Sequence, residues 1–286
     1  MTNSSRWTPY IFIFPALLGL AIFRLGPIFV SVFGSFSIQT LQGETVFTGL
    51  YNYFELLSEA KFWHSTRLTI VFNFIINPLQ VLIAFILALL VRRSTFGVGF
   101  FRTTFFLPMT TSLAVASILW KLMLDPNIGL VNGALNSIGV TTQPFFTSKD
   151  QALGSLIWLA SWKGVGYWMM FLLVGLNDIP NELYEAARID GASSGSILRR
   201  ITLPLMKRPL AFVLVADTVV NFLFFAPIYI ITKGGPLDST NLLMYEAYRS
   251  AFVLLNLGRS LTISTVILMI IGVFAFFELR VLRQEE

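Results

Sequence analysis

Two apolar segments of this chain carry ionisable and amide side chains, which are costly at membrane depth and are therefore candidates for function. Asp217 and Asn221 are four residues apart, a spacing that places both on one face of a helix. Lys163, Gly164 and Tyr167 form a comparable group on the other segment. Such side chains could hydrogen-bond a polar solute, and a carboxylate with an ammonium could couple transport to an ion. Asp217 and Lys163 could equally neutralise each other between packed helices, and the sequence leaves these alternatives open.

Other polar and aromatic residues of the apolar segments are interpreted as packing groups. Trp158 and Trp168 suit a membrane interface or a helix contact better than a ligand platform. Asn73 and Asn77 are predicted to hydrogen-bond between neighbouring helices. These four residues are therefore left out of the candidate binding residues.

The residue inventory excludes most catalytic and metal chemistry. The chain has no cysteine and a single histidine, His64, so neither a thiolate nucleophile nor a histidine metal cluster can form. No G-x-x-x-x-G-K-[ST] sequence occurs that could cradle the phosphates of ATP. We therefore predict no catalytic residue, no metal site and no cofactor, and any ATP must be bound by another polypeptide.

The elements that must position the candidate residues are hydrophobic spans. The 286 residues are 55% hydrophobic and only 12% charged, with a mean hydropathy of +0.74, whereas soluble domains carry about 25% charged residues. A span takes about 20 apolar residues, and six segments qualify. They are Pro9–Phe36, Thr69–Val91, Thr103–Leu124, Ala152–Leu176, Leu210–Thr232 and Leu261–Leu279. The sequence thus predicts an all-α polytopic membrane protein with six transmembrane helices.

Basic residues predict the orientation of these spans. With the N-terminus inside, eleven arginines and lysines fall on inside segments and six on outside segments. The positive-inside rule then predicts that both termini are cytoplasmic. Because the basic residues flank apolar spans and form no contiguous patch, the net charge of +5 does not indicate nucleic-acid binding. The inside set is Arg6, Arg92, Arg93, Arg102, Arg188, Arg199, Arg200, Lys207, Arg208, Arg280 and Arg283.

The longest inside segment, residues 177–208, has the signals of two short helices. Residues 181–189 are predicted to form the first, and Gly191 supplies the left-handed residue that often follows a helix C-terminus. Ser193 or Ser194 can cap a second helix. We expect this helix to end before Pro204, because the residue preceding a proline avoids the α conformation. The segment is therefore predicted to form a helical knob outside the membrane.

The sequence of this knob resembles the EAA loop of ABC importer permeases, E-A-A-x-x-D-G-A followed by I-x-L-P. The matching residues are Glu185, Ala186, Ala187, Asp190, Gly191, Ala192, Ile201, Leu203 and Pro204. The resemblance implies the type I ABC importer permease fold and identifies residues 177–208 as a cytoplasmic loop that couples the permease to ATPases. It also implies an N-terminal part, 1–64, that holds the first helix and an external loop, and a five-helix transmembrane core, 65–286.

The partners implied by the resemblance are a second homologous permease subunit, two nucleotide-binding ATPase subunits, which bind the ATP, and an extracytoplasmic solute-binding protein. The location implied is the bacterial cytoplasmic (inner) membrane. Further stretches are similar to the carbohydrate-uptake branch and to its first permease subunit, of the maltose and glycerol-phosphate type. They are Pro15-Ala16-Leu17, Gly26-Pro27, Leu124-Asp125-Pro126 with Gly129 and Asn132, and Lys233-Gly234-Gly235-Pro236.

This branch implies a sugar or sugar-like solute, namely an oligosaccharide, a polyol or a glycerol-phosphate-type ester, and a substrate pathway. By that resemblance, Gly164, Tyr167, Asp217 and Asn221 stand at positions that line the sugar cavity. Asp217 departs from the small polar residue expected there, which implies a different solute. The alternative function is a stand-alone secondary transporter that uses Asp217 and Lys163 for ion coupling. A membrane-embedded enzyme is disfavoured, because no nucleophile constellation is present.

Overall fold

The computed structural model describes residues 8–39, 44–92 and 97–283. Arg6 and Arg93, which were counted for the orientation, lie outside the described residues. The chain forms two compact units. The first contains residues up to Trp63 together with Glu246–Leu268, and the second contains His64–Tyr245 together with the residues from Met269 onward.

Most of the described chain is helical. The elements in chain order are α1 (Thr8–Leu20), a π-helical turn (Ala21–Leu25), α2 (Gly26–Gly34), β1 (Ser37–Gln39), β2 (Thr45–Phe47), α3 (Tyr51–Ser58), α4 (Ala60–Val91), α5 (Val98–Thr110), α6 (Leu113–Met123), α7 (Leu130–Ser137), a 3₁₀ turn (Phe145–Thr147), α8 (Ala152–Asn177), α9 (Asn181–Ile189), α10 (Ser194–Ile197), a π-helical turn (Leu198–Thr202), α11 (Leu203–Leu205), α12 (Lys207–Phe222), a π-helical turn (Ile228–Thr232), α13 (Leu243–Phe252) and α14 (Leu257–Arg283). The antiparallel pair β1–β2 was not expected from the sequence.

Polar contacts within the first unit join the residues that follow α2 to α3, and the start of α14 to Glu59 and α13. The Asn52 amide donates to the Ser35 carbonyl at 2.8 Å and to the Ser37 carbonyl at 2.9 Å. The Arg259 guanidinium lies 2.6 Å from a Glu59 carboxylate oxygen and 2.9 Å from one of Glu246. These bonds fasten the short hairpin and α3 to the start of α14 within this unit.

The core of the second unit lies around α8. Apolar side chains from α4, α8 and α12 pack there, including Ala84, Ala88, Met169, Leu172, Leu176 and Val213. Gly166 brings α8 against α5, because a Cβ atom at this position would overlap the Phe105 carbonyl oxygen. Small residues therefore set the close approach of these two helices, as is common in membrane proteins.

Four helices within the described ranges are long and apolar enough to cross a membrane: Tyr10–Gly34, Ala60–Val91, Ala152–Asn177 and Leu257–Glu278. The predicted third span is not one straight helix, since α5 and α6 are bent by 100° across a break. The predicted fifth span is also interrupted, because α12 ends at Phe222 and helical structure resumes only at Ala226. The count of six continuous spans is therefore not confirmed, although the all-α membrane fold is.

Candidate functional site

The first half of the 177–208 loop folds as predicted from its sequence. Helix α9 covers Asn181–Ile189, and Asp190 follows as its C-terminal cap. Gly191 has φ of +78°, the left-handed conformation that only glycine adopts without strain. The Ala192 amide then bonds back to the Ala187 carbonyl at 2.9 Å, which closes the helix end.

The second half of the loop differs from the prediction. Of the two predicted caps, Ser193 and Ser194, the structure uses Ser193, whose hydroxyl accepts from the Ser196 amide at the start of α10. The helix does not end before Pro204, however, but continues through the π-helical turn and α11 to Leu205, and α12 begins at Lys207. The wider π turn shifts the hydrogen-bond register, so that Pro204, which has no N–H, falls in the first turn of a new α-helical segment.

The motif residues form an exposed surface with two hollows. Glu185, Ala186, Asp190, Gly191 and Pro204 are exposed, and Ala187 and Ala192 are half-buried. One hollow of about 660 Å³ is bordered by Glu185 together with residues from the ends of α4 and α8. The other, of about 330 Å³, is lined by Ala187, Asp190, Gly191 and Ala192 with part of α10 and the turn after it. Small side chains thus leave the second hollow open at the surface.

One aromatic residue attaches α9 to the rest of the second unit. Among the residues of α9, all of which the structure describes, Tyr184 alone is buried. Its hydroxyl lies 3.2 Å from the Thr202 hydroxyl, and the Arg92 guanidinium lies 4.2 Å from its ring centroid. Sequence reasoning missed this residue, although a single large aromatic side chain on an otherwise polar helix was a usable signal.

Asp217 lies at the centre of a second group of residues, inside the helix bundle. Its Oδ1 atom accepts from the Trp168 indole at 2.7 Å and from the Asn221 amide at 3.0 Å. Asp217, Asn221 and Trp168 are 1%, 3% and 4% exposed. Trp168 is therefore a packing residue, as predicted, and also a hydrogen-bond donor, which was not predicted.

The contacts of Asp217 extend to two other helices. The Asn221 amide donates to Asn77 Oδ1 at 2.8 Å, and the Asn77 amide donates to the Thr218 hydroxyl at 2.8 Å. That hydroxyl donates to Glu278 Oε1 at 2.9 Å. Asn77 thus joins helices as predicted, whereas the Asn73 amide donates within its own helix, to the Thr69 carbonyl. We call this group the polar cluster: Asn77, Gln80, Trp168, Asp217, Thr218, Asn221 and Glu278.

Lys163 does not pair with Asp217. Its ammonium donates to the carbonyls of Pro108, Met109 and Thr111, at 2.9, 3.2 and 2.6 Å. These carbonyls lie at the break between α5 and α6, where the α-helical acceptors have lost their own partners. The proposed neutralisation of Asp217 by Lys163 is therefore wrong, and no ion pair joins the two side chains in the described part of the chain.

Gly164 and Tyr167 lie beside the polar cluster. A Cβ atom on Gly164 would be 3.0 Å from the Gln80 amide nitrogen, so the missing side chain makes room for Gln80, which donates to the Ala160 carbonyl at 2.9 Å. Tyr167 is half-buried, and its ring centroid is 4.8 Å from that of Trp168. The structure thus brings all four predicted pathway residues to one region, but Asp217 and Asn221 are buried there and bonded to other side chains.

Metal-binding groups of three or more histidine, cysteine, aspartate or glutamate side chains do not occur within residues 8–39, 44–92 and 97–283. The buried oxygens Asp217 Oδ2 and Glu278 Oε2 have no hydrogen-bond partner in this described part. The chemistry that the region offers is therefore hydrogen bonding by amides, hydroxyls and carboxyls.

Comparison with known proteins places this arrangement among transport proteins. Residues 80–283 match the family described as binding-protein-dependent transport system inner membrane component. The probable ABC transporter permease protein YurN of Bacillus subtilis is 37% identical over 94% of each chain. The sn-glycerol-3-phosphate transport system permease protein UgpA of Brucella suis is 32% identical over 98% of this chain and 96% of its own length.

Solved structures show the same fold. A chain of a bacterial ABC transporter involved in the import of the acidic polysaccharide alginate superimposes with a TM-score of 0.81, at 21% identity over 98% of this chain and 96% of its own. A chain of the bacterial alginate ABC transporter in complex with an alginate pentasaccharide-bound periplasmic protein gives a TM-score of 0.77, at 21% identity over 97% of this chain and 93% of its own.

Proposed function

Because the chain belongs to the family of binding-protein-dependent transport system inner membrane components, we propose that it moves a sugar or sugar-like solute across the inner membrane while partner ATPases supply the energy. The chain is an ABC importer permease and not an enzyme, and it works with a solute-binding protein. The alternative of a stand-alone secondary transporter is not retained.

The solute class in this proposal is an oligosaccharide, a polyol or a glycerol-phosphate-type ester. Support comes from the similarity over nearly the whole chain to permeases named for sn-glycerol-3-phosphate. A binding screen of these solutes on the partner solute-binding protein tests the class. Binding of an amino acid or a metal ion in place of all three would contradict it.

The partners in this proposal are a second homologous permease and two ATPase subunits, with both termini of this chain in the cytoplasm. A reporter inserted near Ser194 is then expected to read cytoplasmic, and one near Pro144 is expected to read external. Gly43, a further external position, lies outside the described residues. Division of the chain into 1–64 and a five-helix core, 65–286, remains part of the same proposal.

The observation that carries the proposal is the exposed 177–208 loop. Glu185 borders the larger hollow, and it is exposed with its carboxylate free to meet a basic group of an ATPase subunit. Together with Ala186, Ala187, Asp190, Gly191, Ala192 and Pro204, it forms the surface proposed to bind the ATPase. An exposed contact of this kind determines partner binding without supporting the fold of the chain itself.

Charge reversal at Glu185 tests this assignment. Glu185→Lys is expected to reduce co-purification of the ATPase subunits and ATP-driven uptake at least tenfold, because like charges then face each other across the contact. Glu182→Lys is the matched control, since Glu182 is exposed on the same helix but does not border the hollow. Equal co-purification of both variants would overturn the assignment of this surface.

The proposed substrate pathway follows the faces of α8 and α12 that carry Gly164, Tyr167, Asp217 and Asn221. Gly164 and Tyr167 are half-buried, and Tyr167, which has a side chain, is proposed to contact the solute. The buried Asp217 and Asn221 are proposed to hold the helices that line the pathway. Tyr167→Ala is expected to lower uptake more than it lowers basal ATPase activity. An unchanged uptake rate would remove Tyr167 from the pathway.

A further inference from the structure

The attachment of α9 to the membrane helices depends on one side chain. Tyr184 is the single buried residue of this fully described helix, and it packs in the cluster around Ala84, Ala88 and Met206. On the Glu185 side, α9 faces the hollow of about 660 Å³. Tyr184 is therefore the side chain through which α9 packs most deeply against the membrane helices.

Arg92 is the charged residue at that point. It follows directly after the last residue of α4, Val91, and its guanidinium lies 4.2 Å from the Tyr184 ring centroid, within cation–π range. It also approaches the Ile179 carbonyl at 3.5 Å, between α8 and α9. One side chain from α4 thus covers the aromatic anchor of α9 and touches the segment that leads into it.

The end of α4 is fastened to α5 as well. The Arg102 guanidinium donates two bonds to the Val91 carbonyl, at 3.1 Å from Nε and 2.6 Å from Nη2. A cation at this carbonyl satisfies an acceptor that the helix C-terminus leaves open. Arg92 therefore follows directly after the residue at which α4 is bonded to α5.

We infer that Arg92 is a positioning residue that links the ATPase-binding loop to α4 and α5 through the ring of Tyr184. The inference rests on the proposed function, because it assigns a path to movement that begins at an ATPase contact. α4 also carries Asn77 of the polar cluster, fifteen residues before Arg92 and about 22 Å away at 1.5 Å per residue. The link thus leads from the loop to the residues that hold the pathway helices together.

The planar guanidinium is required by this geometry. An arginine stacks its flat face on an aromatic ring, whereas a lysine carries a compact ammonium that keeps the charge but not the stacking. Arg92→Lys is therefore expected to weaken the link, and Arg92→Met to remove it. Tyr184→Phe keeps the ring under Arg92 and loses only the contact with the Thr202 hydroxyl, so the link is expected to survive.

The experiment measures how far ATP binding changes the accessibility of the break that follows α5. Since the chain has no cysteine, Thr111→Cys introduces one label site at the exposed break between α5 and α6. The importer is purified through this chain with its second permease and ATPase subunits. The rate of maleimide labelling of this chain is then measured with and without ATP and vanadate, alongside basal ATPase activity and thermal unfolding.

ATP and vanadate are expected to change the labelling rate of the Thr111→Cys protein. Arg92→Met is expected to reduce this change at least fivefold, as loss of a cation–π contact implies, and Arg92→Lys to reduce it by a smaller factor. Because Arg92 itself borders the larger hollow, the change is compared per copy of co-purified ATPase, and basal ATPase activity is measured for each variant. Arg199→Met, at an exposed arginine of the same loop that borders neither hollow, is expected to leave the change intact.

The outcomes separate the inference from its premise. If no ATPase subunit co-purifies with the Thr111→Cys protein, the proposed function fails. If it co-purifies and the Arg92→Met and Arg92→Lys variants respond as fully as that protein does, the positioning role is overturned. A loss of response that parallels a loss of thermal stability in all variants, Tyr184→Phe included, would mean that Arg92 only supports the fold, which also overturns it.

Discussion

The 177–208 loop and the polar cluster belong to the same unit and are built in opposite ways. In the loop, the hydrogen bonds that shape α9 and its end join residues within a few positions of one another, as from Ala192 to Ala187. In the polar cluster, the decisive bonds join residues 141 and 144 positions apart, at Asn77–Thr218 and Asn221–Asn77. Neighbours along the chain thus specify the surface offered to a partner, whereas the helix assembly depends on distant residues.

The two regions should therefore respond differently to substitution. Most motif residues of the loop are exposed, so the replacement of an exposed one is expected to affect partner binding and leave the fold intact. The residues of the polar cluster are buried, apart from the half-buried Glu278, so replacing a buried one leaves donors or acceptors unsatisfied at a cost of about 1–3 kcal/mol each. Each of the following changes tests this contrast, beginning with the largest expected effect.

Asp217→Leu is expected to have the largest effect on stability. The substitution removes the acceptor of both the Trp168 indole and the Asn221 amide, and we expect the free energy of unfolding to fall by about 2–4 kcal/mol. Thermal unfolding in detergent measures this loss. Val220→Leu, at an exposed position of the same helix, is the control and should change stability little, and an equal loss in both variants would contradict the central role of Asp217.

Lys163→Met is expected to have the next largest effect. The substitution leaves three carbonyls at the α5–α6 break without their shared donor, which should lower the free energy of unfolding by about 1.5–3 kcal/mol. Lys121→Met, at an exposed lysine of α6, is the control.

The same variant tests whether Lys163 and Asp217 interact. Because their side chains have different partners, the effects of Lys163→Met and Asp217→Asn should add in the double variant. Rescue of Asp217→Asn by neutralising Lys163 would restore the ion-pair interpretation that the structure contradicts.

Gly191→Ala is expected to have a local effect in the loop. A Cβ atom at φ +78° strains the backbone by about 1–2 kcal/mol, and the end of α9 should open more often. Trypsin cleavage after Arg188 is then expected to be about fivefold faster or more. Gly195→Ala is the matched control, since Gly195 is helical and its φ is not positive. Equally faster cleavage in both variants would show that the left-handed conformation of Gly191 does not stabilise the end of α9.

Tyr167→Phe should have the smallest effect on stability. The ring contacts with Trp168 and Phe171 remain, so the free energy of unfolding is expected to change by less than about 0.5 kcal/mol. Uptake of the solute is nevertheless expected to fall if the hydroxyl bonds to it. A large loss of stability would place Tyr167 with the polar cluster and not with the solute.

The contrast also explains which predictions from the sequence were confirmed. Bounds for α9, the left-handed Gly191 and the cap at Ser193 follow from preferences of single residues and their neighbours, and the structure has all three. The end of the second helix was missed, because a π-helical turn moves Pro204 into a new helical register. This depends on the helical path on both sides of the proline and not on the proline alone.

The sequence identified the polar residues of the apolar segments but not their hydrogen-bond partners. Asp217, Asn221 and Lys163 were recognised as functional or structural polar groups, but their bonds depend on the rotation of each helix against its neighbours. No signal in the sequence indicated that Lys163 would meet the carbonyls of a broken helix. Trp168 was classed as a packing residue because tryptophan suits a membrane interface or a helix contact. Its hydrogen bond to Asp217 was missed, since the indole nitrogen meets this acceptor only when α8 and α12 are assembled.

The contact between Lys163 and the α5–α6 break has a consequence for how the protein is made. The Pro108 carbonyl leaves the ribosome 55 residues before the ammonium that satisfies it. Carbonyls without a hydrogen-bond partner are costly away from water, and this carbonyl gains its donor only after α8 has been synthesised. The final structure of the α5–α6 break therefore depends on a helix that is made later.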